Sequence, residues 1–420
     1  MISSSSLSNG LRVLTESMPH VLSTTIGIWV ENGSRYEEPA DNGVSHFIEH
    51  LLFKGTRKRT AAQIAEEMDA VGGVLNAFTG KEYTCYYAKV LGQHLPMTTE
   101  LLADIFLHSL FAAEEIDRER QVVLQEISQA EDTPDDFIHD LFTLNFWRGH
   151  PLALPIFGSV ETVNRINREL LVSFMGERYR AGRIFIAAAG QVDHNQLVRD
   201  CQRLFGEIPG DGRVEKIAPP AETPIVVNHE KQLEQMHICI GGPGLSQVSD
   251  LRYASYVLNT ALGGGMSSRL FQEVREKRGR VYSIYSSMAS YADCGYSLIY
   301  AGTNPEWLDE VLEVTLREIR KVVREGLRPN ELARAKSQIK GNMLLGLEGT
   351  ETRMNRLARN EIYFAREVPL EELAQGIDSV TADQIVELAN FLFEPGKMAM
   401  TLLGDLKGRQ LATSVFSALD

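Results

Sequence analysis

Apolar residues recur along this chain with two periods, and the two alternate in the same order twice. LRVLTE and STTIGIWVENGS carry the β-branched content of strands. DNGVSHFIEHLLFKGT and AAQIAEEMDAVG then place their apolar residues at helical spacing. NAFTGKEYTCYYAKVL is strand-like, whereas LPMTTELLADIFLHSLF and the charged EEIDRERQVVLQEISQAE are helical. Beyond the middle of the chain, TPIVVNHE and EQMHICIGGPG predict strands, and LRYASYVLNTALGG and SRLFQEVREKRG predict helices. VYSIYSSMASYADCGYSLIYAGT then predicts two strands and EWLDEVLEVTLREIRKVVREG a long helix. Strands that return as hairpins beside long helices predict an α+β fold and not a parallel α/β sheet.

The repeated order, offset by about 210 residues, points to a tandem duplication. Between the copies lies IPGDGRVEKIAPPAETP, with four prolines, two glycines and neither period, which reads as a linker. The expected organisation is a first half 1–208, a linker 209–224 and a homologous second half 225–420. Each half is predicted to be a mostly antiparallel sheet packed with helices.

Composition narrows the function classes. With 56 acidic against 42 basic residues the formal charge is −14, which disfavours nucleic acid as a partner. No apolar run is long enough to span a membrane, and the first twenty residues lack the basic-then-apolar pattern of a secretory signal. Cys85, Cys201, Cys239 and Cys294 are widely spaced, as suits reduced thiols and a cytoplasmic location. Gly263-Gly264-Gly265 is not followed by the Lys-Ser/Thr of a phosphate loop, so nucleotide binding is poorly supported.

The chemistry concentrates in the first half. His46 and His50 are i and i+4 within VSHFIEHLLF, so on a helix both imidazoles leave one face. Two nitrogen donors there suit one Zn²⁺, and Glu49 projects near the same spot, where it could take a proton from water. Two surface histidines beside a solvated glutamate would give the same pentapeptide. A catalytic zinc needs a third protein ligand, for which Glu126 in RERQVVLQEISQ is the candidate. Glu119, two helical turns earlier, lies on the same face.

HFIEH resembles the inverted zinc motif H-x-x-E-H of the inverzincins, in which a glutamate ligand follows about 75 residues further on. Here Glu126 is 76 positions after His50, with Glu119 seven before it. Over essentially its whole length the chain is similar to the pitrilysin and mitochondrial-processing-peptidase family in its short bacterial form. That resemblance implies one Zn²⁺ per chain held by His46, His50 and Glu126. It also implies Glu49 as general base and Glu119 as a carboxylate supporting Glu49 and the water. Asn76-Ala77-Phe78-Thr79 and Glu82-Tyr83-Thr84 resemble the family's N-A-x-T-x-x-E-x-T strand, to which an extended peptide adds as a further strand. Asn76 and Ala77 are therefore expected to bind substrate.

In the second half YVLNT stands where HFIEH stands in the first, so no zinc is expected there. Arg275 and Tyr282 match a family pair that holds the peptide and polarises its scissile carbonyl. Asp136 and Asp140, i and i+4, match an acidic pair that receives an arginine near the cleavage site. The two halves are expected to face each other across a chamber. The implied function is a zinc endopeptidase acting on peptides or unfolded protein segments, with precursor processing near arginine as one form of it. The alternative is a non-catalytic helper subunit of the same fold, whose sequence would lack parts of the zinc motif. With both motifs on one chain, a homodimer is expected; a heterodimer with a helper chain is the other arrangement.

Overall fold

In the computed structural model residues 1–419 are described. They form two compact units, and each is built on one sheet. Unit 1 comprises residues 1–129, 154–217 and 346–367, and unit 2 comprises residues 130–153, 218–345 and the described residues from 368 onward.

The sheet of unit 1 has six strands: β1 (Ile2–Ser6), β2 (Arg12–Ser17), β3 (Ser23–Val30), β4 (Val74–Thr79), β5 (Thr84–Leu91) and β6 (Ile184–Gly190). Their order is β1-β2-β6-β3-β5-β4, antiparallel except for the β2/β6 pair. The sheet of unit 2 has five: β7 (Val226–Glu230), β8 (Met236–Pro243), β9 (Val281–Ser290), β10 (Gly295–Thr303) and β11 (Ala399–Gly404), in the order β7-β11-β8-β10-β9. Only β7 and β11 run parallel. Strand for strand this repeats β2-β6-β3-β5-β4, so the predicted duplication is present as topology. NAFTGKEYTCYYAKVL, which reads as one strand-like stretch, is a hairpin. Gly80 N–H donates to the Tyr83 carbonyl at 2.8 Å and β4 folds back on β5. SRLFQEVREKRG contains a wide helical turn, Phe271–Glu276, closed by Lys277 N–H on the Gln272 carbonyl.

The units are not separated by one cut. The central strands are apolar on both faces. In β6, Ile184, Ile186 and Ala188 enter one core cluster, and Phe185, Ala187 and Ala189 enter another. Since side chains alternate along a strand, both faces must be covered. Helices of the same half cover the first face. The second is covered by the helix Thr350–Phe364 of the other half, through Met354, Leu357 and Ala358. In unit 2 the reciprocal cover is the helix Pro134–Phe146, whose Ile138, Phe142 and Phe146 pack with Cys239, Leu298 and Leu403. Phe142 sits so close to β8 that a Cβ on Gly241 would lie 2.4 Å from its ring. The compact units thus differ from the expected 1–208 and 225–420 by an exchanged helix on each side. Residues 211–225, which overlap the expected linker 209–224, have no helix or strand.

Phe142→Ala is expected to cost about 3–5 kcal/mol of stability. In hydrogen exchange the loss of protection should concentrate in β8 and β11 and spare β2, β3 and β6.

Candidate metal centre

Five helices of the first half of the chain carry labels here: α1 (Val44–Leu52), α2 (Ala61–Asp69), α3 (Leu95–His108), α4 (Ala113–Glu131) and α5 (Pro134–Phe146). In α1, Val44, Phe47, Ile48, Leu51 and Leu52 are fully buried, which is the stripe of an amphipathic helix. This stripe fixes the rotation of α1, so that His46, Glu49 and His50 leave together on the flank.

The start of α1 is built from buried polar groups. Gly43 has φ +99°, in the left-handed region, and a Cβ there would lie 2.6 Å from the Phe157 carbonyl oxygen, so glycine is required. Glu37, only 3% exposed, accepts from Gly43 N–H and Ser45 N–H, both at 2.8 Å, and from Asn42 Nδ2 at 3.0 Å. Its carboxylate does the work that a cap side chain usually does at a helix N-terminus. Burial pushes its pKa up, and these hydrogen bonds oppose the shift. Two residues earlier, Arg35 forms a buried ion pair with Glu82 at 2.7 Å in the β4–β5 turn. Arg35 N–H also donates to the Lys81 carbonyl at 2.8 Å. One loop therefore anchors both α1 and the hairpin.

Across from α1, α4 supplies Glu126. Its Oε2 lies 3.7 Å from His46 Nε2 and 3.5 Å from His50 Nε2. Two donors each about 2.1 Å from a tetrahedral Zn²⁺ stand about 3.4 Å apart, so the set fits that ion. The fit also rests on an electrostatic observation. Glu126 Oε2 is buried without a hydrogen-bond partner, and it lies in a group of three potential ligand atoms all within 4.8 Å of one another. Burial, with the neighbouring His50, pushes the His46 pKa down to about 3, which keeps the imidazole in the neutral form that binds metal. Among the described residues this is the one group of three or more His, Cys, Asp or Glu side chains able to hold an ion.

Glu119 is buried two turns up α4. Its Oε2 is 3.0 Å from His50 Nδ1, and its Oε1 is 2.7 Å from Lys54 Nζ. Glu119 was expected to support Glu49 and the water; its carboxylate meets the back of the His50 ring. A carboxylate only accepts, so His50 donates from Nδ1 and keeps the Nε2 lone pair for a metal. Lys54 was not singled out in the sequence, although it stands one helical turn beyond His50.

Glu49 is half-buried, and Thr79 Oγ1 donates to its Oε2 at 2.5 Å. Burial pushes its pKa up, and the Thr79 hydrogen bond opposes the shift. Thr79 ends β4, which lies at the edge of its sheet. Asn76 is exposed on that strand and its Oδ1 accepts the Ala77 N–H at 2.8 Å. On the face opposite Thr79, Phe78 packs edge-on against Trp29 at 5.5 Å.

In unit 2, Arg275 lies over the rings of Phe271 and Tyr282, at 4.7 and 5.7 Å from their centroids, so the expected pair is assembled. Tyr282 is 78% exposed at the start of β9. Asp136 lines a cleft of about 520 Å³ with Asp135, His237, Tyr282, Tyr285 and Tyr300. Of the expected pair Asp136 and Asp140, the cleft takes only the first. Because α5 starts at Pro134, Asp135 and Asp136 share its open first turn, and Asp140 lies one turn further along, half-buried and outside the lining.

Comparison with known proteins agrees with this construction. A family profile described as Insulinase (Peptidase family M16) matches residues 12–160, and one described as Peptidase M16 inactive domain matches residues 165–339. An uncharacterized zinc protease of Streptomyces coelicolor is 42% identical over 412 residues, which cover 96% of this chain and 90% of that protein. An uncharacterized zinc protease of Bacillus subtilis is 39% identical over 393 residues, covering 94% and 96%. Among solved structures, a peptidase M16 inactive domain from Pseudomonas fluorescens superposes with a TM-score of 0.90 at 21% identity, covering 96% of this chain and 98% of that one. A protease from Helicobacter pylori gives 0.88 at 21% identity, covering 96% and 99%. At that identity the likeness is one of fold.

Glu37→Ala would leave the Gly43 and Ser45 N–H groups buried without an acceptor. The expected cost is about 1–3 kcal/mol for each stranded donor, read by urea unfolding, and zinc affinity should fall with it because α1 loses its anchored start.

Proposed function

The chain belongs to the insulinase family, peptidase family M16, and on that premise we propose that it is a zinc endopeptidase acting on peptides or extended, unfolded protein segments. The observation that carries this is the convergence of His46 Nε2, His50 Nε2 and Glu126 Oε2, with the Glu49 carboxylate held beside them. These three side chains would hold one Zn²⁺ per chain. When bound, zinc supplies Lewis acidity to the scissile carbonyl and to the attacking water. Glu119 orients His50 as a ligand by accepting from Nδ1. Glu49 takes a proton from the water as it attacks the carbonyl carbon, and returns it to the leaving amine.

The peptide is proposed to dock as a strand on the open edge of β4, where it would take the Ala77 N–H from the Asn76 side chain. Main-chain pairing accommodates many sequences in extended form. Arg275 and Tyr282 are proposed to hold the peptide and to stabilise charge developing on its carbonyl oxygen. The acidic cleft at Asp135 and Asp136 supports a preference for arginine near the cleavage site. The proposed assembly is a homodimer, since one chain carries both the donor set and the Arg275/Tyr282 pair. Among the described residues no helix is long and apolar enough to cross a membrane. Cys85, Cys201 and Cys239 are buried free thiols, which supports a reducing, cytoplasmic setting.

Elemental analysis should find about one zinc per chain, and chelation should stop cleavage of an unstructured peptide. Glu49→Gln should retain the zinc and lose turnover on the order of 10²- to 10⁴-fold. Glu126→Gln should lower zinc affinity. An active Glu49→Gln enzyme would refute the assignment of the base.

For specificity, the measurement is the kcat/KM ratio of an arginine-containing peptide to its alanine counterpart. Asp136→Asn should reduce that ratio about 5-fold, the equivalent of roughly 1 kcal/mol for a solvent-facing pair, and less at high salt. Asp140→Asn should leave it unchanged.

A further inference from the structure

We propose that Thr79 is the positioning residue of Glu49, and that its hydroxyl decides which carboxylate oxygen handles the proton; this rests on Glu49 acting as the base. Thr79 Oγ1 donates to Glu49 Oε2 at 2.5 Å. Among the described residues no partner is assigned to the other oxygen, Oε1. An oxygen that already accepts a short hydrogen bond is the poorer proton acceptor of the two. The proton from water therefore goes to Oε1. One O–H bond of water breaks, its proton bonds to Oε1, and the hydroxide oxygen bonds to the carbonyl carbon. When the C–N bond breaks, the same proton passes from Oε1 to the nitrogen of the leaving amine. Through both steps Thr79 keeps its proton and acts only as a pin.

The pin is stiffer than the group it holds. Glutamate has three side-chain torsions, and the last is broad. Threonine is β-branched, with a restricted first torsion. Its strand is fixed on one side by the Thr79/Thr84 pairing and behind by Phe78 on Trp29. The turn that follows is tied down by the buried Arg35–Glu82 ion pair. Alternation along β4 turns Thr79 away from the Phe78 cluster and towards α1. Because β4 is the open edge of the sheet, a peptide added there would extend the same strand that places the base.

The experiment compares zinc-loaded wild type, Thr79→Val and Thr79→Ser on one unstructured peptide, with zinc content measured for each. Valine keeps the shape and strand preference of threonine without its donor. We expect Thr79→Val to bind zinc normally and to lose kcat on the order of 10- to 100-fold, as misplacement of a reacting group does, with KM little changed. Thr79→Ser should recover most of the loss. In zinc-free crystals of Thr79→Val the Glu49 carboxylate should leave its wild-type position. Should Thr79→Val fail to fold, Thr79→Ala takes its place in the comparison. Wild-type kcat in the valine enzyme would overturn the proposal, as would a rise in KM alone, which marks a docking role. Serine performing no better than valine, or an unmoved Glu49 in the zinc-free crystals, would also overturn it. Zinc-bound wild type without any turnover would instead refute the base assignment itself, and the role of Thr79 with it.

Discussion

A short loop of buried charge holds the working parts of unit 1 in place. Asn32, Ser34, Arg35, Glu37 and Asn42 are all buried within eleven residues. Such polar groups are costly inside unless hydrogen-bonded, and the charged ones here are, although Asn32 Oδ1 and Ser34 Oγ have no partner. Glu37 completes the first turn of α1, and Arg35 pairs with Glu82 in the hairpin turn. Neither contact involves the metal donors or the base, yet together they set where α1 stands relative to β4. His46, His50 and Glu49 ride on the first of these elements, and Thr79 on the second. Removing either carboxylate would strand buried partners, so the loop's cost is recovered only in the one arrangement that brings helix and strand together.

The site that results contains two kinds of electrostatic tension. His46 Nε2, His50 Nε2 and Glu126 Oε2 stand close together as potential ligand atoms, an arrangement that favours a cation among them. Around them three polar contacts run in a fixed direction, Glu119 on His50, Lys54 on Glu119 and Thr79 on Glu49, whereas His46 Nδ1 is buried without a partner. That shell sets the tautomer of one ligand and the free oxygen of the base before any substrate is present. Preorganisation of this kind lowers the reorganisation a reaction would otherwise require. On the proposed mechanism, Lys54 and Thr79 would act through their neighbours, as neither belongs to the ligand set or is the base.

The helix exchange answers a different constraint. A sheet whose central strands are apolar on both faces needs two covers, and each half supplies only one from its own sequence. The helix Thr350–Phe364 and α5 provide the second covers reciprocally. Neither half of the chain, cut at the linker, would retain both covers of its sheet. This ties the stability of the metal-binding half to residues more than two hundred positions away.

The elements, the duplication and the grouping of His46 and His50 on one flank were legible in the sequence, because each is a local pattern or a fixed spacing. Helical period places His46 and His50 on one face whatever the rest of the chain does, and strand period marks β3, β6 and β8. Family resemblance joined Glu126 to them across 76 positions. The partner of Glu119 was not legible, nor were the roles of Lys54, Thr79, Arg35 and Glu37. Those depend on which side chain meets which across elements far apart in the chain. The same holds for the helix exchange, since an apolar stripe states that a helix must be buried and not against which sheet. Periodicity encodes the direction in which a side chain leaves its own backbone; its partner is chosen only when packing brings a second backbone within hydrogen-bonding reach.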